Sequence, residues 1–218
     1  MSHPELLLVH GAWHGAWCWQ PVITRLSQAG VRAAAVELPF TSFEDDVAAI
    51  QAAATAIGPD VILCGHSYGG RLVSAAAGSL ASVRHLVYLS VQLPNAEQLA
   101  EYRRKPRVTN TAIPDLGTVR GKYYNACSEE DFQGAARRLR PMISVPGELL
   151  GLEFRPWETI TSTYIVCTCD HAIDPAAQRL MAANTTYATE IPADHAAFFS
   201  APEKLSRILA SIAVSGRP

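Results

Sequence analysis

The pentapeptide Gly65-His66-Ser67-Tyr68-Gly69 constrains the fold of this chain more than any other stretch. It follows the apolar run Val61-Ile62-Leu63 and precedes Arg71-Leu72-Val73-Ser74-Ala75-Ala76-Ala77. A buried strand that turns sharply into a helix forces its central residue into a strained conformation, and side chains two positions to either side collide in such a turn. Gly65 and Gly69 remove that collision. Ser67 is then held out at the edge of a sheet beside a helix N-terminus, whose free N–H groups favour developing negative charge. A glycine-rich turn with an incidental serine is the bland alternative. The context on both sides and the partner groups downstream favour a nucleophile.

Short Val-, Ile- and Leu-rich runs alternate with longer amphipathic stretches along most of the chain, the pattern of a parallel sheet covered by helices. Strands are expected at about 5–10, 31–37, 60–65, 83–90, 162–168 and 185–191, and helices at about 18–29, 43–57, 69–80, 175–183 and 202–213. Gly30 reads as a C-terminal stop, Ser42 with Asp45 as a capping pair, and Pro175 and Pro202 as first-turn residues. Residues 92–156 break the alternation with Pro94, Pro106, Pro114, Pro141, Pro146 and Pro156 and one helical patch near 128–139. The expected organisation is a core of 1–91 and 157–218 with 92–156 as a small cap over the carboxyl end of the sheet.

A serine hydroxyl needs a base, and histidine is the usual one near neutral pH. Of seven histidines, His66 adjoins Ser67 and points elsewhere, and His10, His14 and His85 belong to early elements. His195 follows the last expected strand, after both other partners in the order Ser, acid, His. The acid belongs at the end of the preceding strand, where Asp170 lies. Asp174 directly precedes Pro175 and reads better as an N-cap, and Asp194 adjoins His195 and suits a structural hydrogen bond. The expected catalytic set is Ser67, Asp170 and His195.

The loop His10-Gly11-Ala12-Trp13-His14-Gly15-Ala16-Trp17 after the first strand should supply the second oxyanion donor. The backbone N–H groups of Ala12 and Tyr68 are the expected pair. Gly11, Trp13, Tyr123, Tyr124 and Trp157 are candidate substrate contacts; with Tyr102 and Phe154 the cap aromatics could equally form a small core of their own. Trp17 and Trp19 read as packing beneath the loop, and His14 as a buried histidine with satisfied hydrogen bonds.

Eighteen basic against twenty acidic residues give a net charge of −2, which offers no general attraction to nucleic acid or anionic membranes. The apolar runs are too short to cross a bilayer. The basic cluster Arg103, Arg104, Lys105 and Arg107 reads as solvated surface. The start Met-Ser-His-Pro-Glu lacks the pattern of a secretory signal, so the expected location is the cytoplasm. Cys18, Cys64, Cys127, Cys167 and Cys169 form no spaced metal set, and Cys167 and Cys169 should share one face of a strand as packing residues. A small molecule is the expected partner, with no metal or organic cofactor; the oligomeric state stays open, a homodimer included.

His10 to Trp19, Gly65 to Gly70, Val166 to Asp170 with Ile173 and Gln178, and Asp194-His195 together resemble the α/β-hydrolase superfamily. The branch most similar holds plant methylesterases, salicylate-binding esterases and hydroxynitrile lyases with bacterial relatives, whose cap the stretch Tyr123 to Asp131 resembles. The chain differs in beginning at what is usually the third strand, in a short segment after Pro39 and in a compact cap. The resemblance implies an α/β-hydrolase fold, a mostly parallel sheet of about six strands with helices on both faces, and Ser67, Asp170 and His195 as its triad. Lyases of that branch carry threonine where this chain has Gly11 and lysine where it has Ala196, so the resemblance implies ester hydrolysis through an acyl-enzyme. The alternatives are a carbon–carbon hydrolase or lyase acting on an aromatic or polyketide-like metabolite, and a non-catalytic small-molecule receptor.

Overall fold

The computed structural model describes residues 3–95, 97, 99–100, 112–142 and 153–218. Tyr102 and the Arg103, Arg104, Lys105 and Arg107 cluster lie outside the described residues. Six strands form one sheet in the order β2-β1-β3-β4-β5-β6. They are β1 Glu5–Val9, β2 Ala33–Val36, β3 Val61–His66, β4 Val83–Leu89, β5 Ser162–Cys167 and β6 Tyr187–Ile191. Every neighbouring pair is parallel, which bears out the expected sheet and requires a covering layer on each face.

Successive residues of the central strands divide between the two layers, because side chains alternate along a strand. Leu6, Leu8, Ile62, Cys64, Val87, Leu89, Ile165 and Cys167 join the core beneath α1 (Gln20–Gln28) and the C-terminal helix Pro202–Ser215. Leu7, Val9, Val61, Leu63, Leu86, Tyr88, Tyr164 and Val166 join the core beneath α2 (Phe43–Ile57) and α3 (Tyr68–Ala77). Double-sided burial is why these runs read as apolar blocks rather than as alternating stripes.

Local chemistry sets several boundaries as expected. Ser42 accepts the Asp45 amide at the start of α2, Gly30 takes φ +74° after α1, and Pro175 and Pro202 stand in first turns. Asp174 caps the helix Pro175–Ala182 by accepting the Ala176 amide. β5 ends at Cys167, so Cys167 is buried while Cys169 lies beyond the strand and is exposed. Their expected sharing of a strand face is therefore corrected.

Within 92–156, α4 (Leu116–Tyr123) and α5 (Glu129–Ala136) are described. The sequence patch at 128–139 corresponds to α5. α4 escapes a pattern reading because it carries Gly117 and Gly121 and buries only Val119. Its start is set by Asp115, which accepts the Thr118 amide.

Candidate active site

Ser67 follows the carboxyl end of β3, beside the point where strand order reverses between β1 and β3, the usual place for a ligand in an open parallel sheet, and Asp170 and His195 follow the carboxyl ends of β5 and β6. Ser67 sits between β3 and α3 with φ 51° and ψ −118°. That conformation is strained for a residue with a side chain. It is held by its amide donating to Leu89 O at 3.1 Å and its carbonyl accepting from the Gly70 amide at 3.0 Å.

The two glycines of the motif are needed for different contacts. A Cβ on Gly65 would stand 2.6 Å from the Gly69 carbonyl oxygen and 2.7 Å from the Gly70 nitrogen, inside the turn itself. A Cβ on Gly69 would meet the backbone oxygens of His10 at 2.5 Å and Val9 at 2.7 Å. Gly69 thus lets α3 press against the end of β1, a second reason for glycine beyond the turn.

Asp170 and His195, far apart in sequence, form a buried pair in which Nδ1 of His195 donates to Oδ2 of Asp170 at 2.8 Å. Asp170 Oδ2 also accepts from Gln178 Nε2 at 3.0 Å and Ser90 Oγ at 2.5 Å, and Oδ1 accepts the Ala172 and Ile173 amides. Burial pushes its pKa up, but His195 and these donors outweigh burial and hold the carboxyl below its ordinary range. With Nδ1 donating to the carboxylate, Nε2 of His195 carries the lone pair, as a base requires. Asp194 accepts the amides of Ala126, Cys127 and Ala196 and the Ser200 hydroxyl. Its carboxylate fastens the start of the α5 segment to the His195 loop, the structural part expected of it.

The loop after β1 is organised by two histidines. The Leu38 amide donates to Nε2 of His10 at 3.2 Å, so the neutral ring carries its proton on Nδ1 and donates it to Gly11 O at 3.0 Å. Carbonyl and N–H of a trans peptide point in opposite directions. Fixing the Gly11 carbonyl therefore fixes the direction of the Ala12 N–H. His14 donates from Nδ1 to Ala12 O at 2.7 Å and accepts the Tyr124 hydroxyl at Nε2 at 2.5 Å. Burial pushes the His10 pKa down to about 3 and that of His14 to about 4. Both are neutral struts, as expected for His14 and unforeseen for His10.

Gly11 lies so close to β3 that a Cβ there would be 2.8 Å from His66 Nδ1 and 3.2 Å from Ser67 Cβ. His66 donates from Nε2 to His195 O at 2.9 Å, and its ring centroid is 4.7 Å from that of His195. Burial also pushes its pKa well below the usual value. His66 thus ties the Ser67 segment to the His195 loop while remaining uncharged.

Of the aromatic candidates, Trp13 and Tyr123 are brought to the site. Tyr123 packs edge-on against the His195 ring at 5.4 Å, and Trp13 edge-on against Tyr123 at 5.5 Å. Two candidates are corrected. Tyr124, one residue on, turns the opposite way and is fully buried among His14, Phe132 and Phe199. Trp157 packs on Tyr88 at 5.9 Å in the core under α3. Phe154 is 45% exposed. Trp19 is buried against Phe198 in the core, as expected.

Ser90, whose hydroxyl reaches Asp170, has no sequence signal, since a lone serine at a strand end carries no motif. Among the described residues, no group of three or more His, Cys, Asp or Glu is placed to hold a metal ion, and no helix is long and apolar enough to cross a membrane.

Residues 6–208 match the alpha/beta hydrolase family. The chain belongs to that family. The hydrolase is 29% identical to Methylesterase 7 of Arabidopsis thaliana, with 97% of each chain covered. It is 28% identical to the alpha/beta hydrolase nvfD of Aspergillus novofumigatus, with 98% of each covered. Among solved structures, the hydrolase superposes on tomato methylketone synthase I with a TM-score of 0.82 at 23% identity, covering 98% of each chain. It superposes on polyneuridine aldehyde esterase with a TM-score of 0.81 at 22% identity, covering 97% of this chain and 99% of that one.

Proposed function

We propose that this hydrolase cleaves a small carboxylic ester, with Ser67 as nucleophile, His195 as general base and acid, and Asp170 as the group that orients and stabilises the imidazolium. The observation that carries the reading is the conjunction of a serine on a strained strand-to-helix turn with a buried His–Asp pair at adjacent strand ends. Nε2 of His195 takes the Ser67 proton as Oγ attacks the ester carbonyl. The amides of Ala12 and Tyr68 receive the oxyanion. Collapse expels the alcohol with the proton from Nε2, leaving an acyl-serine. Water then repeats the sequence, and the acid and Ser67 are regenerated.

The segment that carries Tyr123, at the end of α4, covers this centre, and Trp13 and Tyr123 bound the substrate on the side of His195. The names of the relatives, several of them methylesterases of Arabidopsis thaliana, support a methyl ester of an apolar or aromatic acid as the substrate class. A lyase of the same branch is disfavoured by position 11. A threonine there would drive its Cβ into the buried His66 ring, and Ala196 supplies no ammonium group after His195.

The test is turnover of p-nitrophenyl acetate and of a panel of aromatic methyl esters by wild-type protein and Ser67→Ala. Hydrolysis abolished in the variant supports the assignment. Equal rates in the two proteins overturn it.

A further inference from the structure

The carboxyl end of β4 carries a strained residue that the mechanism above leaves unused. Ser90 is fully buried and has φ +47°, in the left-handed region that residues with a Cβ avoid. Glycine would relieve that strain, so what position 90 gains from serine is the hydroxyl. The backbone is fixed on both sides: the Ser90 amide donates to Ile165 O at 3.2 Å, and Leu89 O accepts the amide of Ser67 at 3.1 Å.

We infer that Ser90 is a positioning residue for the acid–base pair, holding Asp170 and His195 in register and favouring the ion pair formed when His195 takes the proton of the nucleophile. The inference rests on the reading of Ser67, His195 and Asp170 as the working groups. Oγ of Ser90 donates to Asp170 Oδ2 at 2.5 Å and stands 3.2 Å from His195 Nδ1. The hydroxyl has one proton and aims it at the carboxylate, so the Nδ1–H of His195 is shared between Asp170 and the Ser90 oxygen. The negative end of the O–H dipole therefore faces the imidazole. Its interaction with that ring strengthens once the ring is cationic, which happens only as Ser67 attacks. The hydroxyl thus acts on the transition state more than on the bound substrate.

The other groups facing the pair are His66, His14, the Tyr123 ring, Gln178 and Cys167. Burial keeps both histidines neutral and pushes the Tyr123 and Cys167 pKa values up. None of them changes charge near neutrality, so a moved titration of His195 in a position-90 variant reports the lost hydroxyl.

The test compares wild type, Ser90→Gly, Ser90→Ala and Ser67→Ala. Steady-state kinetics on p-nitrophenyl acetate across pH is the first readout, and titration of the His195 ring by NMR is the second, which requires no turnover. Expected for both position-90 variants is a kcat lower by roughly 10- to 100-fold, the scale of a hydrogen bond to a charged group. KM should hold, and the acid limb and the His195 titration should both move to lower pH. In Ser90→Gly the released φ offsets part of the stability lost with the buried hydrogen bond, and its kinetic effect should shrink in an Asp170→Asn background. Wild-type kcat and an unmoved His195 titration in Ser90→Gly, with Ser67→Ala inactive, would overturn the proposal and leave the triad standing. If Ser67→Ala keeps full turnover, the triad fails instead, and an unmoved titration in Ser90→Gly overturns the Ser90 role independently.

Discussion

Nδ1 of His10 donates to the carbonyl oxygen of Gly11 at 3.0 Å and so aims the neighbouring Ala12 N–H. His10→Asn keeps a donor close to the Nδ1 position, whereas His10→Gln places its amide near Nε2 and loses that donor. If the peptide serves as half of an oxyanion hole, His10→Gln should lower kcat by roughly 10- to 100-fold, with KM little changed and His10→Asn milder. Equal kcat in both variants would remove His10 from this role.

Gly11→Ala should damage the site without touching the triad. The added Cβ would lie 2.8 Å from Nδ1 of a ring that is buried on all sides. Either His66 moves, taking its bond to His195 O with it, or the loop lifts away from Ser67. A stability loss of roughly 1–3 kcal/mol is expected from overpacking, with a fall in kcat of at least about tenfold. Calorimetry and ester turnover check the two parts.

Gly65→Ala should be worse for folding, since the contacts at 2.6 Å are to the backbone of Gly69 and Gly70 rather than to a side chain that could swing aside. A loss at or beyond the upper end of the roughly 1–3 kcal/mol overpacking range is predicted by urea unfolding. Near wild-type stability would mean that the turn relaxes far more easily than its packing implies.

Stability should fall as the medium becomes mildly acidic. The folded-state pKa values of His10, His14 and His85, about 3, about 4 and about 4, lie below the ordinary imidazole value of about 6.5, and that of His66 is lowered as well. Below about pH 6.5 the unfolded chain binds protons that the folded chain refuses, so stability is complete above that pH and lost as pH falls. Each ring contributes a slope of about 1.4 kcal/mol per pH unit, giving up to ~5.5 kcal/mol per unit for the four between about pH 6 and pH 4. The lowered carboxyl of Asp170 acts in the same direction at lower pH, its contribution being lost as pH falls through its folded value. Urea unfolding midpoints that stay flat from about pH 7 to pH 5 would contradict the burial of four neutral imidazoles.

The sheet and the helices that cover it could be read from sequence because each is a local pattern with a local cause. Apolar blocks mark strands buried on both faces, glycines flank the turn at Ser67, and Asp174 before Pro175 identifies the cap that accepts the Ala176 amide. What could not be read depends on how distant segments meet. Tyr123 and Tyr124 are indistinguishable by composition, yet one faces His195 and the other fills the core beneath α5. Trp157 joins a core assembled from β4 and α3. The part played by Ser90 exists only where β4 and β5 pair and the His195 loop folds back over them. The service of His10 to the Gly11 peptide depends on the Leu38 amide of another strand end.

The most direct test of the central claim is intact-protein mass spectrometry during the first turnover of p-nitrophenyl acetate, paired with the release of p-nitrophenol. An acyl-enzyme account predicts a burst of product, an acetyl adduct located on Ser67, and accumulation of that adduct in a variant slow in deacylation such as Asp170→Asn. Steady turnover of wild-type protein with no adduct on Ser67 and no burst in either protein would contradict it.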